Sequence, residues 1–452
     1  MKYILFVLII LSFGSLSFAQ IQDNSPYSRF GLGDLVLPNI AATNAMGGIT
    51  TGYNSIYHLN PANPASYAAL NYTAFETGID ATFWRHTAGD AQLDTQTGHL
   101  SYIALGFPMF NPLNRITKKK DYPFDWGASF GLIPHSRVAY NISNTVYSEP
   151  IQDSLRRYSS GEGERYKLYF GTGFRYKGIS AGINANYLFG KVNRDLFVDF
   201  GNTINYQNDI STSGISTSGW VWDLGLQYQY TLGKLSDPKE EAKRRNKSHI
   251  ILGLTATPRT KVGLNSDSNF GRTRSSYDNY ESFRENTNFS YDTIYSNQVN
   301  DKMVLPGSFG VAITYKKDRR FLLSAEYNMT AWSNYENPIE PQTLEDTWRG
   351  AVGMEFTPSD RSLDFLKRVR YRAGAFYGTD PRVIDGTQLT GYGATLGFGL
   401  PIVLPRGVPS FVNIGFEVGQ HGHPELIQEA YFKTTLSFTL NDNSWFYKQK
   451  YR

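Results

Sequence analysis

Three arginines stand at every second position in one stretch of the sequence, as Arg368, Arg370 and Arg372. In an extended strand, side chains two residues apart lie on the same face, so this spacing places three guanidinium groups in a row. An arginine pairs bidentately with a carboxylate, and such a row could therefore hold a carboxylate ligand. The alternative is that these arginines pair with acidic residues of the protein itself, because enclosed charges require partners.

Further charged residues fall on the corresponding faces of other strand-like stretches. The additional cations are Arg165, Lys167 and Arg175. The acidic residues that could pair with the cations are Glu76, Asp80, Asp223, Glu326, Glu355 and Glu417. The sequence leaves open whether the arginines contact a ligand or pair internally.

Metal and catalytic chemistry find weaker support. His421, His423 and Glu425 lie close together in the sequence and could share a metal, but a His-x-His turn without further ligands is typical of a solvent-exposed loop. No nucleophile elbow or phosphate-binding loop is surrounded by the strand-turn-helix unit that it needs. The sequence therefore predicts no enzyme, no metal and no cofactor.

The composition of the 452 residues excludes several classes of protein. There is no Cys, which excludes disulfide scaffolds, Cys-bound metals and thiol nucleophiles. The 44 basic and 40 acidic residues give a net charge of +4, too balanced for a nucleic-acid partner. The 31 Tyr, 29 Phe, 7 Trp and 42 Gly favour long β-strands with aromatic belts.

Residues 1–19 have the layout of a secretory signal peptide, with Lys2, an apolar run and Ser17-Phe18-Ala19 before the expected cleavage point. After them, no apolar run approaches the roughly 18 residues that a membrane-spanning helix needs. The mean hydropathy of −0.38 agrees. The sequence therefore predicts an exported chain whose membrane residence, if any, is not helical.

From residue 72 onward, apolar residues alternate with small or polar ones, a period of two that indicates strands. The apolar faces carry Trp220, Trp222, Tyr228, Tyr230, Phe398 and Tyr431. Fourteen such segments are predicted, at 72–86, 97–109, 124–137, 163–176, 178–192, 217–233, 248–263, 303–317, 320–335, 345–358, 367–379, 390–402, 409–420 and 428–440. An even number of strands fits a closed up-and-down barrel.

The opposite faces are rich in Gly, Ser, Thr and Asn and would make a poor solvent face for a soluble all-β protein. The connections alternate between mostly short, basic ones and longer polar ones, expected at 138–162, 193–216 and 264–302. This asymmetry is typical of the two ends of an outer-membrane barrel. We therefore predict an all-β, 14-stranded antiparallel transmembrane β-barrel over residues 71–441, with a periplasmic tail at 442–452.

Residues 20–70 precede the first strand and contain no long alternating run. A barrel of fourteen strands would leak unless its lumen were blocked, because it is wider than barrels that side chains can fill. Gly47-Gly48 and two Asn-Pro pairs favour compact turns, and irregular backbone is tolerated where it binds the wall of a polar lumen. Residues 20–70 are therefore predicted to be a hatch that plugs the barrel.

The same region resembles the signature segment of the FadL-type outer-membrane transporters. The matching residues are Ala45, Met46, Gly47, Gly48, Asn60, Pro61 and Ala62. The stretches 391–402 and 413–450 resemble the last three strands and the tail of the Bacteroidota-type members. This resemblance implies a fourteen-stranded barrel with an N-terminal hatch, and passive uptake of long-chain fatty acids or aromatic hydrocarbons.

The resemblance also implies a sideways exit at a kink in the third strand. In this sequence the third strand contains Gly131 and Pro134, and a proline cannot donate to a strand ladder. The two residues could form a lateral gate. The alternative is a bulge near the outer end of the strand that only directs the chain into the next loop.

Two functions of different classes follow. The first is an outer-membrane protein that contacts lipid and takes up a small, fatty-acid-like hydrophobic ligand through a pocket beside Asn60 to Ala62. The second is an accessory barrel that holds an exported protein at its extracellular loops, where residues 264–302 mix Tyr and Phe with polar residues. A diffusion porin is disfavoured because the hatch would block it.

Overall fold

A computed structural model describes residues 25–110, 122–149, 153–200, 207–233, 248–274, 291–317, 320–403, 408–423 and 425–442. The predicted signal peptide and all but the first residue of the predicted tail lie outside these described residues. Short helical turns occur at Pro26–Arg29, Ala41–Asn44 (α1), Pro64–Ala69, Trp332–Asn334 and Phe365–Arg368 (α2). Among the described residues, no helix has the length and apolar character needed to cross a membrane.

Strands make up the rest of the regular structure. The first half of the chain contains β1 (Asp34–Leu35), β2 (Thr73–Ala88), β3 (Ala91–Pro108), β4 (Asp125–Ser148), β5 (Asp153–Tyr176), β6 (Ile179–Asp199) and β7 (Asn208–Leu232). The second half contains β8 (Ser248–Thr257), β9 (Thr260–Thr273), β10 (Asp292–Leu305), β11 (Ser308–Lys317), β12 (Phe321–Thr330), β13 (Thr347–Phe356), β14 (Arg370–Ile384), β15 (Thr387–Val403), β16 (Pro409–Gly422) and β17 (Gln428–Asp442).

The strands β2 to β17 form one closed antiparallel barrel. Strands that follow one another in the sequence pair side by side, except that β8 pairs with β7 and β11 and β9 with β7 and β10, and β17 closes the barrel on β2 from Gln428↔Thr87 to Asp442↔Thr73. Segments β8 and β9 are two parts of one interrupted strand, and so are β10 and β11, which gives fourteen barrel strands. The predicted number of strands is confirmed, and each predicted segment overlaps one of them.

The outer surface of the barrel carries the alternating apolar face. Trp220, Trp222, Tyr228 and Tyr230 are 44–56% exposed on β7, while Val221 between them is 2% exposed. Large apolar side chains that face outward suit contact with lipid, with aromatic residues near the ends of the strands. Phe398 also faces outward, as predicted.

The predicted position of Tyr431 on the apolar face is wrong. On β17 the exposed residues are the even-numbered ones, such as Phe432 and Phe438, and Tyr431 therefore points into the barrel. Its hydroxyl donates to Oε1 of Glu417, 2.7 Å away. Because the side-chain period of a strand is two, an error of one residue moves an entire row to the other face.

Most residues in the stretches predicted to be long polar loops belong to strands. Most of 138–162 belongs to β4 and β5, most of 193–216 to β6 and β7, and β9 and β10 extend into 264–302. Outside the membrane both faces of a strand meet water, so the alternation that identifies a strand is lost. Segment β10 shows this, since its residues are almost all exposed up to Lys302. These hairpins form a wall that continues beyond the lipid-facing part of the barrel.

Residues 25–70, the luminal segment, lie inside the barrel. Its residues bond to side chains of β3, β6, β12 and β15 and to the backbone of Ile427 just before β17, and thus to walls on several sides. Side-chain caps start its turns, because Ser25 accepts from the N–H of Tyr27 and Asn63 from that of Ala65. A proline follows each cap at the position where its missing N–H costs no helical hydrogen bond.

Candidate functional site

The residues from Ala45 to Gly48 form a tight turn against the inner wall. Gly47 and Gly48 have φ angles of +68° and +73°, in the left-handed region that favours glycine. An added Cβ on Gly47 would lie 2.8 Å from the carbonyl oxygen of Val352. The Gly47 N–H donates to Thr395, 2.8 Å away, and Met46 is fully buried. The glycines let the backbone approach the wall more closely than a side chain would permit.

Glu326 on β12 holds the next part of the turn. Its Oε2 accepts from the backbone N–H groups of Thr50 and Thr51, at 2.6 and 2.7 Å. A carboxylate that accepts from two backbone N–H groups makes strong hydrogen bonds, because its full charge faces both donors. Glu326 is thus a fixed anchor for the luminal segment.

The Asn-Pro-Ala triplet ties the luminal segment together. The side-chain amide of Asn60 donates to the carbonyl groups of Thr50 and Tyr53, at 2.7 and 2.9 Å. The carbonyl of Pro61 accepts from Asn184 on β6 at 2.7 Å, and Ala62 borders a cavity described below. The predicted motif residues therefore lie together inside the barrel, as two turns linked through Asn60.

A histidine and a glutamate meet at the next turn. The Nδ1 atom of His58 lies 3.3 Å from Oε1 of Glu76, which also accepts from the N–H of Leu59 at 2.9 Å. Burial, together with the charges of Arg372 and Arg370, holds the pKa of His58 well below its ordinary value. Burial therefore disfavours the charged imidazole, and the Nδ1 atom of His58 also lies 3.2 Å from the hydroxyl of Thr439.

A charged cluster holds the other end of the luminal segment. Arg382 on β14 donates twice to Asp380, with its Nε at 2.6 Å and its Nη2 at 2.7 Å, and once to Asp34, with its Nη1 at 2.8 Å. His421 bridges Asp380 and Glu429, at 3.1 and 3.3 Å. These five residues are named the clasp, because they bind the luminal segment to β14, β16 and β17.

The clasp explains the position of His421. The ring contacts two carboxylates and stacks edge-on against Tyr27, while His423 accepts the N–H of Glu425 at 3.3 Å. The three residues weighed for a metal are therefore not brought together around one point. Among the described residues, no group of three or more His, Asp or Glu side chains has the arrangement of a metal site.

The alternating arginines divide between different surroundings. Arg370 and Arg372 both face Glu355, at 3.4 and 2.8 Å, and Arg370 lies over the ring of Phe411. Arg368 is the last residue of α2, so it does not continue their row. The structure thus shows the internal pairing that the sequence left open, and neither arginine lines the cavities described below.

The other two arginines contact the luminal segment. Arg165 is 4% exposed, and its Nη1 donates to the carbonyl of Leu32 at 3.0 Å. Arg175 pairs with Asp125 at 3.2 Å and donates to the carbonyl of Ala68 at 2.7 Å. Both side chains bind the luminal segment through its carbonyl groups.

The barrel wall is interrupted beside Gly131 and Pro134. The ladder between β3 and β4 runs only from Pro108↔Gly127 to Ile103↔Leu132, and β4 is irregular after Pro134. Beyond this point β1 takes the free edge of β4, where Asp34 pairs with Arg137. An ion-pair group crosses the gap, because Glu164 on β5 contacts both His99 on β3, at 3.3 Å, and Arg137, at 3.2 Å.

A second interruption involves two prolines that the sequence reasoning did not single out. Pro258 separates β8 from β9, and Pro306 separates β10 from β11 directly opposite. The ladder from β7 to β9 ends at Ser218↔Gly263, and that from β7 to β8 starts at Leu224↔Ala256. A proline in the interior of a predicted strand is the signal that could have located this break.

Two cavities border the luminal segment. Cavity A has a volume of about 340 Å³ and lies beside the clasp. Its charged side chains are Asp34, Asp80, Asp380, Glu417, Glu429, Arg137, Arg349, Arg382 and Lys433. Most of these charges are paired within the protein, so cavity A is a polar chamber.

Cavity B, of about 250 Å³, lies between the two interruptions of the wall. Its apolar side chains are Leu35, Val36, Leu37, Pro38, Ala62, Ile133, Pro134, Val221, Leu224, Ala256, Pro258, Leu305, Pro306, Phe309 and Trp332. Its charged groups are mostly engaged: Asp223 accepts from Asn186 and Thr257, at 2.8 and 2.7 Å. Arg349 donates to the carbonyl of Gly47. Cavity B is therefore the more apolar of the two.

Solved structures with a similar fold include two toluene transporters and a FadL homologue. The Pseudomonas putida toluene transporter TodX is 15% identical, covers 94% of this chain and 100% of its own, and has a TM-score of 0.54. A Pseudomonas aeruginosa FadL homologue is 13% identical, with coverages of 90% and 98% and a TM-score of 0.54. The Ralstonia pickettii toluene transporter TbuX is 10% identical, with coverages of 90% and 99% and a TM-score of 0.52. The resemblance to FadL-type transporters is thus confirmed for the fold, a closed fourteen-stranded antiparallel β-barrel.

The family assignment differs from that resemblance. No curated protein matches this chain. The matching family model is BamG, which is distinct from the FadL-type transporters, and nothing in these comparisons bears on the predicted Bacteroidota type. Because the match spans residues 1–452, the chain belongs to the BamG family.

Proposed function

We propose that this BamG-family protein resides in the outer membrane, takes up small hydrophobic molecules passively, and releases them sideways through its wall. The observation that carries the proposal is cavity B, an apolar chamber that adjoins the luminal segment and reaches both interruptions of the barrel wall. An apolar molecule that passes from such a chamber into lipid avoids transfer through water, which is the unfavourable step. Residues 25–70 then serve as the predicted hatch and block a straight passage.

Cavity B suits such a ligand better than cavity A. An apolar molecule in cavity A would remove water from charged side chains without replacing their hydrogen bonds, which costs free energy. Ligand sites are usually apolar with a few polar groups that fix orientation, and cavity B has this character. The predicted pocket beside Asn60 to Ala62 corresponds to this chamber, since Ala62 lies in its lining.

Lys167 extends the proposal to fatty-acid-like ligands. Its side chain lines cavity B, and within the described part of the chain it has no hydrogen bond or ion pair. A lysine ammonium is a flexible point charge that can meet a carboxylate at the end of an apolar chain. Arg370 and Arg372 are less suited to this role, because they already pair with Glu355. Arg368 is also less suited, since it does not continue their row.

The test uses N-phenyl-1-naphthylamine, a neutral apolar dye that fluoresces in lipid. Cells whose outer membrane carries the folded barrel should take up the dye faster than cells without it. Ala62→Phe, which fills cavity B, should remove this gain, whereas Ala62→Ser, of similar volume, should keep it. Dodecanoate and toluene should both compete with the dye. Lys167→Met should weaken the competition by dodecanoate and leave the competition by toluene unchanged.

Equal uptake with and without the folded barrel would contradict the proposal. The rival function, an accessory barrel for an exported protein, would be favoured if the purified barrel carried a stoichiometric protein and bound neither dye nor dodecanoate. Native mass spectrometry of the gently purified protein distinguishes these outcomes, because it detects a small ligand and a protein partner in one measurement.

A further inference from the structure

We infer that the ligand leaves cavity B through the interruption at Pro258 and Pro306, on the side of the barrel away from Gly131 and Pro134. This inference rests on the proposed function, because it names the route of the same hydrophobic molecule. It assigns a portal to residues that neither the family match nor the structural neighbours single out. The portal is the opening between Leu224, Pro258, Pro306 and Phe309.

The lining of cavity B carries the inference. Leu224 and Phe309 line the cavity, yet both belong to the lipid-facing rows of their strands and are 41% and 51% exposed. Leu224 and Phe309 both pair with Ala256 of β8, one from each side, so they stand next to Pro258 where the ladders are interrupted. Cavity B therefore lies against the wall at this interruption, behind two outward-facing apolar residues.

The backbone leaves room at the same place. Residues 219–223 of β7 have no ladder partner on β8 or β9, since pairing stops at Ser218↔Gly263 and resumes at Leu224↔Ala256. Pro258 has no N–H to offer to this edge, and its side chain is exposed. In a membrane barrel, unpaired backbone is tolerated where it is buried in protein, and Val221 in this stretch is 2% exposed and belongs to a buried cluster with Leu32 of the luminal segment.

The interruption at Gly131 and Pro134 is more fully closed than the portal. Pro134 is buried, and β1 covers the free edge of β4 through Asp34↔Arg137 and Leu35↔Ser136. The contacts of Glu164 with His99 and Arg137 cross the remaining gap. An apolar molecule that left there would have to break these contacts, whereas the portal at Pro258 is bordered by Leu224 and Phe309 and is crossed by the hydrogen bond from Thr257 to Asp223.

The portal lies at a depth where lipid can receive the molecule. Along the outward row of β7, Leu224 and Leu226 stand between the tryptophans at 220 and 222 and the tyrosines at 228 and 230. Aromatic belts mark the two membrane interfaces of such barrels, so the leucines between them face hydrocarbon. The portal beside Leu224 therefore faces the hydrocarbon layer, close to the outer interface of that layer.

Engineered disulfides test the route, because the natural chain has no Cys. The pair Asp223→Cys/Thr257→Cys bridges β7 and β8 at the portal, where the native side-chain oxygens lie 2.7 Å apart. The pair His99→Cys/Glu164→Cys bridges the other gap, across a 3.3 Å contact. The control pair, Thr314→Cys/Ser324→Cys, joins two directly paired residues of the continuous β11–β12 ladder, whose hydroxyl oxygens lie 2.7 Å apart.

Dye uptake by cells is compared between the oxidised and reduced forms of each variant, so that each protein is its own folding control. The expected result is a loss of barrel-dependent uptake on oxidation of the portal pair alone, with recovery on reduction. Loss only with the His99 and Glu164 pair would overturn the portal and retain the proposed function. Loss with all three pairs, or with none, would also overturn the portal. Absence of barrel-dependent uptake in the unmodified protein would remove the proposed function itself.

Discussion

The clasp gives the most quantitative prediction, through replacement of Arg382 by methionine. Arg382 is 4% exposed and makes three charge-assisted hydrogen bonds of 2.6 to 2.8 Å to Asp380 and Asp34. Arg382→Met keeps most of the side-chain volume but removes the guanidinium that Asp34 and Asp380 share, so that Asp34 loses this ion pair and Asp380 keeps its contact with His421. Removing one partner of a buried ion pair costs about 3–5 kcal/mol.

The expected result is a local opening of the luminal segment. A loss of this size raises the population of the open form by about two to four orders of magnitude, at 1.36 kcal/mol for each factor of ten. Hydrogen exchange of residues 25–36, followed by mass spectrometry in detergent, should accelerate accordingly. The barrel strands should keep their protection, because their ladders do not involve Arg382.

Two variants provide the controls for this measurement. Arg272→Met removes an ion pair with Asp209 in which the arginine is 51% exposed, and such pairs contribute only about 0–1 kcal/mol. Neutralising Asp34 and Asp380 to Asn in the Arg382→Met protein should restore much of the protection, since the cost arises from uncompensated charge. Unchanged exchange of residues 25–36 in Arg382→Met would refute the assignment of the clasp as their anchor.

Two further predictions concern the inner wall. Gly47→Ala should destabilise the luminal segment by about 1–3 kcal/mol, because alanine is strained at the positive φ of this position. Gly350→Ala should change the stability little, since an added Cβ meets nothing within 4 Å there. Hydrogen exchange of the luminal segment compares the two variants. Arg372→Met should lower stability to urea more than Arg370→Met, since Arg372 lies 2.8 Å from Glu355 against 3.4 Å for Arg370. Neither arginine variant should alter dye binding; a loss of dye binding with folding intact would instead make these arginines ligand contacts.

The strands could be predicted from the sequence because lipid on one side and a small, polar lumen on the other impose opposite demands on alternate residues. The signal fails where that contrast ends. Segment β10 meets water on both faces, so nothing in its composition distinguishes it from a loop. Tyr431 shows a different failure, since a tyrosine suits either an aromatic belt or a luminal hydrogen bond, and only register decides between them.

Part of the candidate site could be predicted from the sequence for a related reason. Gly47, Gly48 and the Asn-Pro-Ala triplet signal compact turns through local chemistry, and the structure places them together inside the barrel. The clasp has no local signature, because Asp34, Arg382 and Glu429 come from distant parts of the sequence and meet only after the barrel closes. Pairing of this kind depends on tertiary structure that no short motif records.

The clasp and the portal act on the same stretch of the luminal segment. Leu35, Val36, Leu37, Asn39 and Gly48 line both cavities, so this stretch is the partition between the polar chamber and the apolar one. On the side of cavity A the partition is held by the bond from Asp34 to Arg382, and β1 adds two backbone pairs to β4. On the side of cavity B its neighbours are mostly apolar, apart from the hydrogen bond from the Val36 N–H to the carbonyl of His135 at 3.0 Å. Since charge-assisted hydrogen bonds are stronger than apolar contacts, we expect a ligand in cavity B to rearrange the apolar side chains of the partition before it breaks the clasp. Loading of cavity B should therefore leave the luminal segment anchored at Asp34.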